Sequence, residues 1–216
     1  MTYEQLNTLP VWQQMPTITL DEMSSIKLMN RVDTKYVMSF GTCMELLRRA
    51  VNDYSVQIIG DVRACRYSTL YYDTEDLEMY VVHHNQKLTR QKVRTRTYVE
   101  SGITFIEVKN KTNRGRTKKK RIKIPQENFY TVTAHEEAKA FLSERANYAV
   151  ERLSPALTTE FERITLVNHA HTERLTIDLN LRFTNIRAEH GEPTGIEDLV
   201  IVELKQDGLC YSPMKQ

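Results

Sequence analysis

Eight stretches of the chain alternate with a period of two residues, and this pattern limits the possible fold more than any other sequence feature. They lie at roughly 31–38, 64–72, 91–99, 103–111, 116–124, 158–168, 172–180 and 199–206. Such alternation is typical of β-strands that bury one face. Short links at Gly102 and at 113–115 join the third, fourth and fifth stretches, which predicts successive antiparallel hairpins.

Seven of these eight stretches carry charge on the polar face and aliphatic residues on the other. In 91–99, for example, Lys92, Arg94 and Arg96 alternate with Val93. One geometry satisfies all seven stretches together, namely a closed eight-stranded antiparallel barrel with a charged interior and an apolar exterior under covering helices. The sequence therefore predicts an α+β fold built on a tunnel.

Four segments carry helix signals that fit the covering role. Thr19 and Glu22 form a capping-box pattern that opens a helical segment at about 19–30, and helical spacing continues in 41–52. A third segment follows Asp73, and Thr133 with Glu136 predicts the start of a fourth. Because no repeat or Pro/Gly-rich linker divides the chain, residues 1–216 are predicted to form one domain.

Basic residues are concentrated in about one sixth of the chain. The formal net charge is only +2, yet 87–123 contains fourteen basic and two acidic residues, a local net charge of +12. This asymmetry favours polyanionic partners, which could be nucleic acid, an anionic membrane or phosphate chains. Two plainer interpretations remain open: each basic strand face could be a solvated edge, and 118–121 could be a localisation or heparin-like patch.

Four acids share the predicted charged faces with these cations: Asp33, Glu107, Asp178 and Glu203. A carboxylate in an anion-binding tunnel either neutralises a neighbouring cation or holds a divalent metal that bridges phosphate oxygens. The residues alone leave both roles open for each acid.

Several function classes find no support. The chain lacks both GxxxxGK[ST] and GxGxxG, and it shows no Ser-His-Asp or Cys-His arrangement. Its three cysteines, Cys43, Cys65 and Cys210, lack zinc-ligand spacing and fit a reducing compartment. No apolar stretch approaches ~20 residues, so the expected location is cytoplasmic. Nucleic acid is a weak alternative partner, because only Tyr98 and Phe161 accompany the bases.

The residues that carry these patterns resemble the VTC domain, a branch of the triphosphate tunnel (CYTH-like) metalloenzymes. The matching segments run in the order RVDTKY (31–36), LYYDT (70–74), KVRTRTY (92–98), FIEVK (105–109), KKKRI (118–122), TEFERI (159–164), LTIDLNLRF (175–183) and VELK (202–205). The resemblance spans about Arg31 to Lys205. RVDTKY is similar to the superfamily's ExExK opening, with Arg31 in place of the first glutamate.

The resemblance implies a metal-dependent phosphotransferase that adds the γ-phosphoryl group of ATP to inorganic polyphosphate, with Mn²⁺ or Mg²⁺ as cofactor. It assigns the catalytic phosphate-binding positions to Lys35, Arg94, Arg96, Lys109, Arg163 and Arg174. Further phosphate-binding candidates are Arg31, Lys92, Lys119, Arg121 and Lys205, with Lys119 or Arg121 filling the basic position of the fifth strand. Glu203 matches the metal-binding glutamate, and Glu107, Asp33 and Asp178 are additional metal candidates.

Three alternatives accompany this assignment. Within the same superfamily the chain could be a tri- or polyphosphatase, or a non-catalytic polyphosphate sensor. A membrane protein partner that receives the product is a further open expectation. VTC domains usually continue into a helix with a Ser-Lys-Tyr-like motif, and the sequence ends at Gln216 before such a motif. Full activity is therefore expected to depend on that segment.

Overall fold

The computed structural model describes residues 1–26, 31–208 and 211–215, without the side chains of Ser24, Ser25, Arg31 and Pro213. The strands are β1 (Thr17–Thr19), β2 (Arg31–Met38), β3 (Tyr54–Ile58), β4 (Ala64–Asp73), β5 (Arg90–Tyr98), β6 (Ile103–Lys111), β7 (Thr117–Ile124), β8 (Ser154–Asn168), β9 (Glu173–Asn185), β10 (Thr194–Gly195) and β11 (Val200–Asp207). The α-helices are α1 (Tyr3–Asn7), α2 (Val11–Gln14), α3 (Leu20–Ser25), α4 (Phe40–Ala50), α5 (Glu78–His84) and α6 (Glu136–Arg145).

The chain forms two compact units. The first unit comprises Met1–Arg66, Phe161–Leu181 and Gly195–Gln216, and the second comprises Tyr67–Glu160 and Arg182–Thr194. The long strands β8 and β9 each contribute residues to both units.

In the first unit the hydrogen-bonded strand order is β2-β11-β9-β8, with β3 beside β8 and β1 beside β3. Strand β11 is antiparallel to both β2 and β9. One face of this sheet is aliphatic, with residues such as Leu175, Ile177 and Leu204, and it packs against Trp12 and Leu47 of α2 and α4. These side chains are buried, so apolar burial fixes which face of each strand points away from the helices.

In the second unit the order is β8-β4-β5-β6-β7, and β5 is antiparallel to β4 and β6, as β6 is to β7. The aliphatic face carries Val93, Ile106 and Val108 and packs against Ala138 and Leu142 of α6. The two units thus repeat one design, in which a helix-covered apolar face leaves the opposite sheet face polar.

The predicted α+β fold, an antiparallel sheet with a charged face and covering helices, is confirmed. Eight strands follow the two orders above, the number that the alternation predicts. Because the described pairings run from β2 to β7 rather than in a ring, closure into a complete barrel stays a prediction. No helix in the described part of the chain is both long and apolar enough to span a bilayer.

The boundaries differ from the predictions at informative places. Strand β9 extends to Asn185, past the predicted end at 180, and Asn180 within it adopts a left-handed backbone (φ 50°), a conformation that asparagine tolerates but that alternation cannot anticipate. Helix α6 is capped by His135, whose Nδ1 accepts from the Ala138 N–H at 3.2 Å, and not by Thr133 as the capping pattern indicated.

Helices are present in the other three predicted segments, although one of these segments extends beyond the described residues. The Thr19–Glu22 capping box is present at the start of α3, whereas 27–30 of the predicted helical segment lie outside the described residues. Cys210 also lies outside them, and Cys43 and Cys65 are buried.

Candidate functional site

The first unit carries a charged sheet face that register assembles from four strands. Glu203 of β11 stands between Lys35 of β2 and Thr176 of β9, and Lys205 stands between Asp33 and Arg174. Directly paired residues share a sheet face. We call this set, together with the neighbouring Arg163–Asp178 pair, the first charged face; its members are Asp33, Lys35, Arg163, Arg174, Thr176, Asp178, Glu203 and Lys205.

Two lysines of this face contact the carboxylate of Glu203, one from its own strand and one from β2. Lys205 forms a close ion pair with its Oε2, and Lys35 Nζ lies 3.9 Å from its Oε1. Burial raises the pKa of Glu203, but the hydrogen bond and charge of Lys205 outweigh it, so the net pKa lies below its usual range. The carboxylate is therefore ionised at neutral pH and keeps 20% of its side chain exposed.

Arg163 and Asp178 form a two-pronged ion pair on the same face. Nε of Arg163 donates to Oδ1 of Asp178 at 2.5 Å, and its second nitrogen donates to Oδ2 at 2.6 Å. Arg174 instead donates to the backbone carbonyl of Met23 in α3, at 3.1 Å. The fork geometry of Arg163 matches a phosphate as well as it matches a carboxylate.

The second unit has its own charged face, built by β4 to β7 around Glu107. Tyr71, Arg94, Glu107 and Arg121 are paired in a row across the four strands, and Lys92, Lys109 and Lys119 are paired in the next. We call these seven residues, with Arg96, the second charged face.

Glu107 is fully buried, and basic side chains surround its carboxylate. A guanidinium nitrogen of Arg94 lies 2.7 Å from Oε2, and Lys119 Nζ lies 3.1 Å from Oε1, with Arg121 at 3.9 Å. Burial raises the pKa of Glu107, yet the charges of Arg94 and Lys119 outweigh it and leave the pKa below its usual range.

Aromatic rings support the cations of this face. Arg96 donates to Thr69 Oγ1 at 2.9 Å and lies over the Tyr67 ring at 5.7 Å, and Arg121 lies over Phe105 at 4.1 Å. Rings that support a guanidinium plane hold it in place, so less entropy is lost when an anion binds.

The local potential of the second charged face acts on Tyr71. Burial raises the pKa of this phenol, but the charges of Arg94, Arg96 and Lys92 lower it by more, so the net pKa lies below its usual range. An acidified phenol indicates a strongly positive environment, the kind that attracts phosphate oxygens.

The structure brings the predicted site residues together in two separate sets. Lys35, Arg163, Arg174 and Lys205 belong to the first charged face, with the acids Asp33, Asp178 and Glu203. The second has one acid, Glu107, among its cations, which are Lys92, Arg94, Arg96, Lys109, Lys119 and Arg121. The side chain of Arg31 lies outside what the structure describes, although its backbone pairs with Asp207.

Metal ligands were predicted among the four acids, and the donor set can be tested against a divalent cation. Among the described residues, no three His, Cys, Asp or Glu side chains gather as a preformed cage. Magnesium and its relatives usually bind through one or two carboxylates plus substrate phosphates, so Glu203 fits an ion that arrives with a triphosphate. Glu107 fits less well, because it is fully buried with Arg94 and Lys119 against its two oxygens.

Two polar residues beside these cations, Thr69 and Tyr71, escaped the sequence reasoning, whereas the alternation of 172–180 places Thr176 with Arg174 and Asp178. Tyr71 accepts from Arg94 at 3.3 Å, and Thr176 accepts from Lys205 at 3.0 Å. Strand 64–72 has no charged alternation to reveal its role, and only its register beside β5 shows which of its residues face the cations.

Comparison with known proteins agrees with this architecture. Residues 30–215 match the VTC domain family. An adenylate-cyclase-like protein of Bacillus halodurans is 13% identical, with a TM-score of 0.52 and 82% of each chain covered. An adenylyl-cyclase-like protein of Hippeastrum, described as having a dominant triphosphatase activity, is 12% identical, with a TM-score of 0.50, covering 86% of this chain and 81% of its own. These two likenesses show the fold alone, and no curated protein sequence matches the chain.

Proposed function

The chain belongs to the VTC domain family, within the triphosphate tunnel superfamily, and from this premise we propose that it is a polyphosphate polymerase-like phosphotransferase. It takes the γ-phosphoryl group of ATP and adds it to a growing inorganic polyphosphate chain. The observation that carries the proposal is the family match over residues 30–215, which includes both charged faces.

The arrangement of the cations supports phosphate chains over other anions. The second charged face opposes six cations to the single carboxylate of Glu107, and adjacent strands place Lys92, Lys109 and Lys119 side by side. Like charges directly opposite one another destabilise a sheet, and a bound polyanion relieves this repulsion. Arginine forks bind phosphate oxygens in pairs, and lysines add point charge.

The chemical step needs little covalent participation from the protein. A terminal oxygen of the acceptor chain bonds to the γ-phosphorus as the bond from that phosphorus to the β,γ-bridging oxygen breaks, and ADP leaves with the electron pair. Arg163 and Arg94 are proposed to hold phosphate oxygens by exchanging part of their carboxylate contact for them. Positioning and neutralisation of charge would supply most of the rate enhancement.

A divalent cation, Mn²⁺ or Mg²⁺, would be held by Glu203, with Asp33 and Asp178 on the same face, and would neutralise charge on the phosphate oxygens. The lysines that hold Glu203 keep its carboxylate ionised and oriented. Lys205 also donates to Thr176, which fixes the position of its ammonium group beside Glu203.

We also propose that the two units act as one domain in the cytoplasm. Strands β8 and β9 contribute to both units, and the family match crosses both. Three cysteines without paired spacing fit a reducing compartment.

Hydrolysis is the second candidate, because the same fold occurs in the Hippeastrum protein that is described as a triphosphatase. The test is incubation with γ-labelled ATP and Mn²⁺, with products resolved on a urea gel. We expect a ladder of labelled chains, about 100-fold weaker with Glu203→Gln. Labelled orthophosphate without chains would identify a hydrolase, and tight polyphosphate binding without turnover would identify a sensor.

A further inference from the structure

A basic pocket in the second unit lies outside both charged faces and has no role in the proposed transfer step. It is an open cleft of about 530 Å³, lined by His83, His84, Gln86, Leu88, Arg90 and Lys111. The first two belong to α5, the next two to the connection that follows it, and Arg90 and Lys111 to β5 and β6. Its volume lies in the range of small-ligand sites.

The strand register connects this pocket to the second charged face. Along β5 and β6 the pairs are Arg94 with Glu107, Lys92 with Lys109, and Arg90 with Lys111. Successive pairs at every second residue lie on the same sheet face, about 7 Å apart along the strands. The pocket therefore stands at the end of a continuous row of cations that begins at the buried carboxylate.

The lining chemistry suits phosphate oxygens. Of the six described residues that line the pocket, none is acidic, while Arg90, Lys111 and Gln86 all offer N–H donors. Arg90 already donates to the Lys87 carbonyl at 2.9 Å, which orients its guanidinium. Recognition of a nucleobase calls for acceptors and an apolar slot as well, and Leu88 alone supplies little of the latter.

We propose that this pocket is a distal phosphate subsite, which binds the part of a polyphosphate chain that extends beyond the second charged face. The inference rests on the proposed function, because it assumes that the second charged face binds phosphate. Arg90 and Lys111 face each other as like charges, so an anion between them removes a repulsion that the fold otherwise retains.

His83 adds a titratable group to the subsite. Burial lowers its pKa, and Lys92, Arg90, Lys111 and Lys109 lower it further. On the helix side its neighbours include His84, whose ring stacks on Tyr80 at 5.8 Å. A bound polyanion would offset the cationic repulsion, so protonation of His83 is expected to accompany occupation of the pocket.

The experiment compares two inorganic ligands, triphosphate and a longer linear polyphosphate, by calorimetry at fixed salt on the whole chain. The variants are Lys111→Gln and the double variant Arg90→Gln/Lys111→Gln. The matched control is Lys118→Gln: Lys118 is an exposed lysine that pairs with Asn110 and so lies on the opposite sheet face. The affinities of all three variants are expressed as ratios to wild type, which cancels the statistical advantage of a longer chain.

We expect the double variant to lose about tenfold in affinity for the long chain, and Lys111→Gln about threefold, while triphosphate affinity changes by less than about twofold. Lys118→Gln should leave both affinities unchanged. Equal losses for both ligands, a long-chain affinity that does not fall, or an equal effect of Lys118→Gln would each overturn the subsite. Failure of the wild type to bind either ligand would instead overturn the proposed function with it.

Discussion

The two charged faces use the same strand geometry but place their acids in opposite environments. In the first charged face Glu203 keeps 20% of its side chain exposed beside Lys35, which is itself 67% exposed. In the second, Glu107 has no exposed surface and lies against Arg94 and Lys119. An acid that solvent can reach is able to exchange a lysine for a cation and phosphate, whereas a fully buried acid mainly compensates the charges around it.

The balance of charge follows the same division. The first charged face has three acids with four cations, so most of its charge is already compensated. The second has six cations around one acid, and its excess positive charge is available to a polyanion. We infer that the first face is suited to position a metal-bound triphosphate and the second to hold phosphate chains.

The largest effect is expected from Glu107→Gln, which should lower the free energy of unfolding by about 3 kcal/mol, because it removes a fully buried charge that compensates the half-buried Arg94. The matched substitution Glu203→Gln should change the same quantity by less than about 1 kcal/mol, since the carboxylate of Glu203 is itself partly exposed and Lys35 is solvated. Urea denaturation of both variants measures the difference. Equal losses would show that the two acids have the same structural role.

Glu203→Gln is expected to reduce chain synthesis from ATP by about 100-fold, the size of loss seen when a transition-state charge stabiliser is removed. Metal-free binding of triphosphate should be retained, because the cations of the first charged face remain. Turnover and calorimetric affinity measured on one preparation separate the two effects. Near-normal turnover would exclude Glu203 as the metal ligand, and a joint loss of turnover and affinity would place it in substrate binding.

Acidification should lower the free energy of unfolding by protonating Glu107, though by less than the Glu107→Gln substitution does. Its folded pKa lies below the unfolded value of about 4.5, so its contribution to stability is present above pH 4.5 and is lost as pH falls through the folded pKa. Urea midpoints measured below pH 4.5 should fall more steeply in wild type than in Glu107→Gln. Parallel profiles would mean that other carboxyl groups, such as Glu203, dominate acid unfolding.

The smallest effect concerns two tyrosines that report the potential of their surroundings. Tyr71 has a pKa below its usual range because Arg94, Arg96 and Lys92 outweigh burial, whereas burial and Glu173 raise the pKa of Tyr54. Added triphosphate should raise the pKa of Tyr71 by neutralising these cations. Tyrosinate absorbance of wild type minus Tyr71→Phe isolates this titration. A titration that ligand leaves unchanged would show that phosphate does not reach the second charged face.

Much of the fold is predictable from the sequence because strand side chains alternate strictly. The alternation in 91–99 and 103–111 is sufficient to place Arg94 and Glu107 on the polar faces, and burial of Val93 and Ile106 confirms it. The features that the sequence does not predict lack periodicity: the left-handed Asn180 inside β9, the His135 cap, and the three-residue strand β1. Each depends on one local conformation or one long-range pairing.

By itself, the sequence determined which side chains share a face, which family the segments resemble, and that the cations cluster between 87 and 123. Only the tertiary structure decided which charges meet, because strand register and burial join residues that are far apart in the chain. Glu107 and Glu203 look alike in sequence, because a lysine follows each of them two residues later. Desolvation separates them: the sheet buries one carboxylate entirely and leaves the other accessible to solvent.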